Sequence, residues 1–335
     1  MKLLSPRRIS GIYLWLALIV FFSLTTDTFL SVTTARTIAN EQAVTAIVAI
    51  GLTVALAAGV FDLSIAGVMG LANIVVARLL AEAHWGAVVA IVVTVALMSL
   101  VGLVNGLLVV YARIDPFIAT LGTNSILTAA IYLVSGNENI LGLPSSFQSI
   151  SSTEVWGIPI SIFYVLVIAL VVWYVLAWTP VGRRLYATGG NREVARLAGV
   201  PTGRYIICSF ICSASVAALA GILVVSTLGS GSVEVGPSYL LPAFAAGFLG
   251  ATQFRPGRFN VWGTVLAVFL LATGVKGLVL MGAETWVPDL FNGVALILAV
   301  GISSVQRRPR PRRRGPHLRG RKASPEPLAS APEAP

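Results

Sequence analysis

Charge is what this chain has least of. Only 11% of its 335 residues are Asp, Glu, Lys or Arg, against 56% hydrophobic residues. A soluble domain of this length needs far more charge to cover its surface, so a soluble globular fold is excluded. Histidine and cysteine are scarce too, at two residues each. His84 and His317 stand at a loop edge and in a basic tail without partner sets, and no HExxH or paired-cysteine pattern exists to hold a metal. Cys208 and Cys212 lie four apart on one face of an apolar run and read as small packing residues, not a disulfide. There is no nucleophile elbow and no Walker A motif. The nearest string, GPHLRGRK from Gly315 to Lys322, lacks the Gly-Lys-Ser/Thr ending and has no strand before it. These absences exclude a catalytic centre, a resident metal or cofactor, and ATP hydrolysis by this chain. Any uphill work must be powered from elsewhere.

What fills the chain instead is apolar runs of membrane length. Ten segments fit the roughly 30 Å hydrocarbon core: residues 11–30, 43–60, 64–81, 86–110, 117–134, 159–178, 204–226, 238–252, 259–280 and 287–305. The reading is an all-α polytopic membrane protein, with residues 1–305 as the transmembrane domain. Lys and Arg gather in alternate connections: Lys2, Arg7 and Arg8, then Arg113, then Arg183 to Arg204, then Arg255 and Arg258, then the C-terminal tail. Loops 135–158, 227–237 and 281–287 hold neither, and Arg36 is the exception. By the positive-inside rule both termini are cytoplasmic. MKLLSPRR also resembles the basic start of a signal peptide, but the apolar run after it is long and Thr33-x-Ala35 is a weak cleavage site, so retention is favoured. Ten spans divide into two sets of five, and the odd number permits two inverted halves.

Polar residues inside these runs are costly and should face the interior or a water path. Asn73, Asn105, Thr120, Thr123 and Asn124 are the candidates. Taken singly, each suits helix-to-helix bonding better than solute contact. As a set, uncharged amides and hydroxyls suit a neutral, hydroxyl-rich solute better than an ion. No span carries a series of carboxylates for a proton relay. Asp62 and Asp115 are read as helix caps, for helices beginning at Leu63 and at Pro116. Lys276 lies close enough to a span end to snorkel.

The connection from Thr179 to Arg204, TPVGRRLYATGGNREVARLAGVPTGR, carries five arginines. Its Gly-Gly pair reads as a break, followed by a short helix over 191–198. Asn191 is the expected N-cap, and Glu193 lies in the first turn, where it favours the helix dipole. Gly199 ends the helix and Pro201 prevents its continuation. Val194, Leu197 and Val200 would offer an apolar knob, Arg192 and Arg196 would offer charge, and Ala195 lies between them. A short basic helix between spans implies a soluble partner that grips it. The tail, residues 306–335, holds eight Arg, one Lys and two Glu, a net of +7 that leaves +3 for the rest of the chain. Rich in Pro and poor in apolar residues, it is expected to be disordered. It reads as a basic block on anionic lipid, not as a nucleic-acid element.

Four stretches resemble the ribose/xylose/galactoside-type permeases of bacterial ABC importers. These are the central loop, GLTVALAAGVFDLSIAGVMGLANIVVA around Asp62-Leu63-Ser64, NGLLVVYARIDPFIATLGTNSILTAAIYLVSG, and AAGFLGATQFRPGRFNVWGTVLA. The resemblance covers about residues 40–302. It departs where a Gly-Gly pair is usual and Gly247-Phe248-Leu249-Gly250 stands instead. The family implies a type II ABC importer-like fold in the plasma (inner) membrane, two permease copies or paralogues, cytoplasmic ATPase subunits, and an extracytoplasmic sugar-binding protein. It also implies that residues 191–200 couple to the ATPase. Two other readings are an ion-coupled secondary transporter and a membrane-embedded enzyme or scramblase. The missing charge relay and missing catalytic constellations argue against both.

Overall fold

The computed structural model describes residues 10–307. Most of the proposed tail, residues 308–335, and the N-terminal basic residues lie outside that range. The described chain is almost wholly helical: α1 (Ser10–Thr25), α2 (Val32–Ala57), α3 (Ile65–Ala81), α4 (Ala87–Val110), α5 (Pro116–Ser135), α6 (Ser145–Ser152), α7 (Ile160–Trp178), α8 (Pro180–Gly190), α9 (Arg192–Leu197), α10 (Thr202–Leu228), α11 (Pro237–Gly250), α12 (Val261–Leu280) and α13 (Val287–Arg307). Each of the ten apolar segments holds one helix. Six of these helices, α2, α4, α5, α7, α10 and α12, are long and apolar enough to cross a membrane. Helices α1, α3 and α11 are shorter, α11 the shortest of the ten at 14 residues, and in α13 the apolar stretch is the shorter Val287–Gly301.

Local chemistry sets the helix boundaries. Ser31 caps α2 by accepting the Thr34 amide at 3.1 Å. Asp115 accepts the Phe117 amide at 2.9 Å with Pro116 at the first helical position, as its sequence signature predicts. Asn260 accepts the Gly263 amide at 2.8 Å to start α12. Its side-chain amide donates to the carbonyls of Gly250, Gln253 and Arg258, which fixes the turn between α11 and α12.

The loop at 135–158 is more structured than its composition predicts. It contains α6 and a two-stranded antiparallel hairpin, β1 (Glu154–Val155) with β2 (Ile158–Pro159). Trp156 and Gly157 both have positive φ, the backbone of a tight primed hairpin turn. The described chain is all-α as expected, apart from this one small hairpin.

The core is built around α2 and α10. From Ala43 to Ala58 every residue of α2 and its C-cap is buried, so this helix is apolar all round and enclosed by neighbours. Helix α2 packs on α10, α11, α12 and α7, whereas α10 packs on α2, α3 and α4. Pairings in the two sets α2–α5 and α10–α13 correspond. Helix α2 meets α12 as α10 meets α4, and α2 meets α11 as α10 meets α3. Likewise α3 meets α4 and α5 as α11 meets α12 and α13. Only α1 and α7 break the correspondence, with α1 on α12 and α7 on α2.

Two partly buried, non-helical segments precede the two short helices at corresponding places. Residues 58–64 lead into α3, and residues 229–236 lead into α11. Gly236, at φ +125, lets the second segment run against the Ala66 carbonyl, where any side chain would clash.

Candidate functional site

The connection between α7 and α10 is a structured platform. Thr179 accepts the Gly182 amide at 3.3 Å and donates to the Val175 carbonyl at 2.6 Å, so the chain turns sharply from α7 into α8. Pro180 occupies the first turn of α8. The Gly-Gly pair does not break this helix as expected. Gly189 and Gly190 are its last turn, and the break falls at Asn191, whose backbone is extended. Gly189 is needed for contact, because a Cβ there would overlap the Ala57 carbonyl at the end of α2. On the other side of α8, the Tyr186 hydroxyl donates to the Phe259 carbonyl at 2.7 Å, and the Arg258 guanidinium lies 3.5 Å from the Tyr186 ring centroid. Burial pushes the Tyr186 phenol above its usual range, while Arg258 pulls the other way. Helix α8 thus touches both helix sets at one end of the bundle. The sequence reading missed this element. Its signals were Thr179-Pro180 as cap and first position, and Val181, Leu185 and Gly189 on one face.

Helix α9 forms where the sequence places it. The Asn191 carboxamide oxygen accepts the amides of Glu193 at 3.1 Å and Val194 at 3.0 Å. Gly199 has φ +79 and closes the helix, followed by a Val200 amide to Ala195 carbonyl bond at 3.0 Å. Ala195 is buried against the platform. Leu197 and Val194 stand out at 82% and 59% exposure, and Arg192, Glu193 and Arg196 are exposed beside them. Val200 is half-buried, so the apolar knob is Val194 and Leu197.

Two of the polar residues of the apolar runs, Asn105 and Thr123, join a chain of hydrogen bonds that ends on segment 58–64. Thr123 donates to Asn105 at 2.6 Å, Asn105 to Ser64 at 2.8 Å, and Ser64 to the Asp62 carboxylate at 2.6 Å. Ser213 in α10 donates to the other carboxylate oxygen at 2.7 Å. Asp62 is buried, and α3 begins at Ile65 with no side-chain bond from its own cap residue. The expected Asp62 cap is therefore corrected: its carboxylate is a buried hub joining α3, α4, α5 and α10. The orphan amides at the start of α3 are satisfied from α5 instead. Thr120 accepts the Leu63 amide at 3.1 Å, and Asn124 accepts the Gly67 amide at 2.9 Å. Asn73 is separate. It accepts the Ser232 amide at 2.8 Å and anchors segment 229–236 to α3.

Phe61 projects from segment 58–64 onto α11, with its ring stacked on Phe244 at 6.4 Å and Phe248 at 6.2 Å. Phe248 meets Phe259, beside the Tyr186 hydroxyl bond. Among the described residues no group of His, Cys, Asp and Glu could hold a metal ion. Lys276 does more than snorkel, because its ammonium lies 3.8 Å from Glu41 of α2. Cys208 is exposed, which corrects the packing role expected of it, and Cys212 is half-buried.

Comparison with known proteins places these features. Residues 34–300 match the family model described as branched-chain amino acid transport system / permease component. The chain is 29% identical over 294 residues to the D-allose transport system permease protein AlsC of Escherichia coli K12, spanning 87% of this chain and 90% of that one. It is 30% identical over 260 residues to the autoinducer 2 import system permease protein LsrD of Yersinia enterocolitica, spanning 76% and 78%. It is 29% identical over 285 residues to the ribose import permease protein RbsC of Bacillus subtilis, spanning 84% and 88%. No solved structure matches.

Proposed function

Because the chain belongs to the branched-chain amino acid transport system / permease component family, we propose that it is the permease subunit of an ATP-driven importer for a monosaccharide or related neutral solute. It is a transport subunit, not an enzyme, and ATP hydrolysis lies in partner subunits. The family description names branched-chain amino acids, but the relatives named for D-allose and ribose favour a sugar. The amides and hydroxyls Asn73, Asn105, Thr120 and Asn124 within the apolar runs suit that choice.

The observation that carries the reading is helix α9. A six-residue helix, capped at both ends and presenting Leu197 at 82% exposure beside Arg196, is organised for a partner surface. In this reading Asn191, Arg192, Glu193, Val194, Ala195, Arg196, Leu197, Gly199 and Val200 form the ATPase-coupling element. Helix α8 passes its movement to both helix sets through Gly189 and Tyr186.

Ten helices cross the membrane in this reading, as two inverted five-helix halves. The corresponding contacts of α2–α5 and α10–α13 support that arrangement. Short discontinuous helices at matching positions, here α3 and α11, mark the solute route of inverted-repeat transporters. Asn73, Asn105, Thr120 and Asn124 then belong to the wall of the route, acting through the segments they hold. Both termini are cytoplasmic. Three cations toward the opposite end are each paired, Arg36 with Glu154 at 3.4 Å, Arg78 with Glu82 at 2.8 Å and Lys276 with Glu41 at 3.8 Å. A second permease copy, an extracytoplasmic sugar-binding protein and anionic lipid complete the assembly.

The test is co-purification with the ATPase subunits, followed by ATPase activity with and without the sugar-loaded binding protein. Stable association and sugar-stimulated hydrolysis are expected. Absence of any ATPase association would overturn the reading.

A further inference from the structure

A cavity of about 220 Å³ lies between α2, α11, α12 and α13, sharing no residue with the α8–α9 platform or the Asp62 network. Gln42 and Thr45 of α2, Ser238 and Tyr239 of α11, and Asn292 of α13 line it. None of these five side chains hydrogen-bonds to another described residue, and none of their polar atoms is sealed in the interior without a partner. Ser238 is exposed and Gln42, Tyr239 and Asn292 are half-buried, so the cavity opens to the surface and its polar groups stay free for whatever enters it. Here they converge unmatched on one space.

The backbone adds an acceptor. Pro242, also in the wall, has no amide to donate to the Ser238 carbonyl, so that carbonyl lacks its regular helical partner. The opposite wall is apolar, from Val268, Leu271 and Val275. Glu41 and Lys276 neutralise each other at the edge, 3.8 Å apart. The space therefore offers donors, acceptors, an aromatic ring and an apolar wall, with no net charge.

We propose that this cavity is a solute subsite within the permease, holding a neutral polyhydroxylated molecule of monosaccharide size in transit. The solute class rests on the importer reading above, whereas the existence of the site rests on the cavity itself. A cation would need carboxylates that are not balanced by Lys276. A purely apolar ligand would leave the five polar side chains unmatched.

The test uses the full chain with its ATPase partners in lipid nanodiscs. Asn292→Cys in a Cys208→Ala, Cys212→Ala background is labelled with methyl methanethiosulfonate, a small neutral reagent. D-Ribose, D-allose, D-xylose and D-galactose are added in turn, with glycine betaine at equal osmolality as the control. At least one sugar should slow labelling severalfold while betaine does not, and a cysteine at Ser146, outside the cavity, should be labelled at an unchanged rate. Adding Gln42→Ala should raise the half-protecting concentration roughly fivefold, the loss of one neutral hydrogen bond. Tyr239→Phe gives a second reading should Gln42→Ala lower the yield of folded protein.

Equal labelling with and without every sugar overturns the subsite. If the complex still assembles and imports sugar, only the subsite falls. Protection by a sugar in a chain that binds no ATPase would keep the subsite and remove the importer reading.

Discussion

Asp62 sits buried beside Ser64 and Ser213, with no cation among the described residues paired to it. Two hydroxyl donors and the amide of Asn105 behind Ser64 form a polar cluster in an otherwise apolar core. Removing the acceptor strands its donors, so Asp62→Ala should destabilise the protein by about 1–3 kcal/mol. Asp62→Asn keeps an oxygen acceptor and should cost less. Thermal unfolding in detergent, followed by intrinsic fluorescence, reads both. A midpoint for Asp62→Ala no lower than that of Glu284→Ala, an exposed control, would contradict the hub. Asn124 tests the same logic from the backbone side. It supplies the cap that α3 lacks, so Asn124→Ala should cost about 1 kcal/mol, the usual value of an N-cap.

At the scale of elements, α8 and α9 do different work. Helix α9 presents its face to solvent, while α8 is fitted against the ends of α2 and α12. Leu197→Asp should leave insertion and yield unchanged but weaken retention of the ATPase on an affinity column, because Leu197 touches little of its own chain. Gly189→Val has the opposite profile. Its side chain would meet the Ala57 carbonyl and lift α8 from its seat, so assembly should persist while sugar-stimulated ATP hydrolysis uncouples from transport. Normal coupled transport in Gly189→Val would show that α8 carries no force. These elements also show how far sequence reasoning reached. Asn191, Glu193, Gly199 and Pro201 announce α9 because capping is local chemistry, readable within four residues. Helix α8 was obscured by Gly-Gly, which resembles a break until the backbone of α2 is seen against it. The caps of α3 were unreadable for the same reason. Thr120 and Asn124 satisfy amides 57 residues away, and only the tertiary fold brings them together. The five polar side chains of the α2–α11–α13 cavity come from three distant runs, so no single window of sequence displays them.

At the scale of the whole molecule, the arrangement of charge predicts how the bundle sits in the membrane. The α8–α9 platform, Arg113 between α4 and α5, and the turn at Arg255–Arg258 carry, at one end, the loop arginines that form no ion pair among the described residues. At the other, Arg36 and Arg78 each meet a carboxylate. The positive-inside rule counts Lys and Arg and gives Asp and Glu little weight, so Arg183, Arg184, Arg192, Arg196, Arg255 and Arg258 at the first end outweigh Arg36 and Arg78 at the other. The platform is therefore expected on the cytoplasmic face, with α6 and the β1–β2 hairpin outside. Single cysteines in the Cys208→Ala, Cys212→Ala background report this directly, since exposed Cys208 would otherwise react. Ser146→Cys lies on the exposed side of α6 and should label in intact cells with a membrane-impermeant maleimide. Thr188 is buried in α8 and would stay silent in either orientation, so the cytoplasmic probe belongs at Leu197. Leu197→Cys should label only after the membrane is permeabilised. Labelling of Leu197→Cys in intact cells would place the coupling helix outside, away from any source of ATP, and would overturn both the topology and the mechanism built on it.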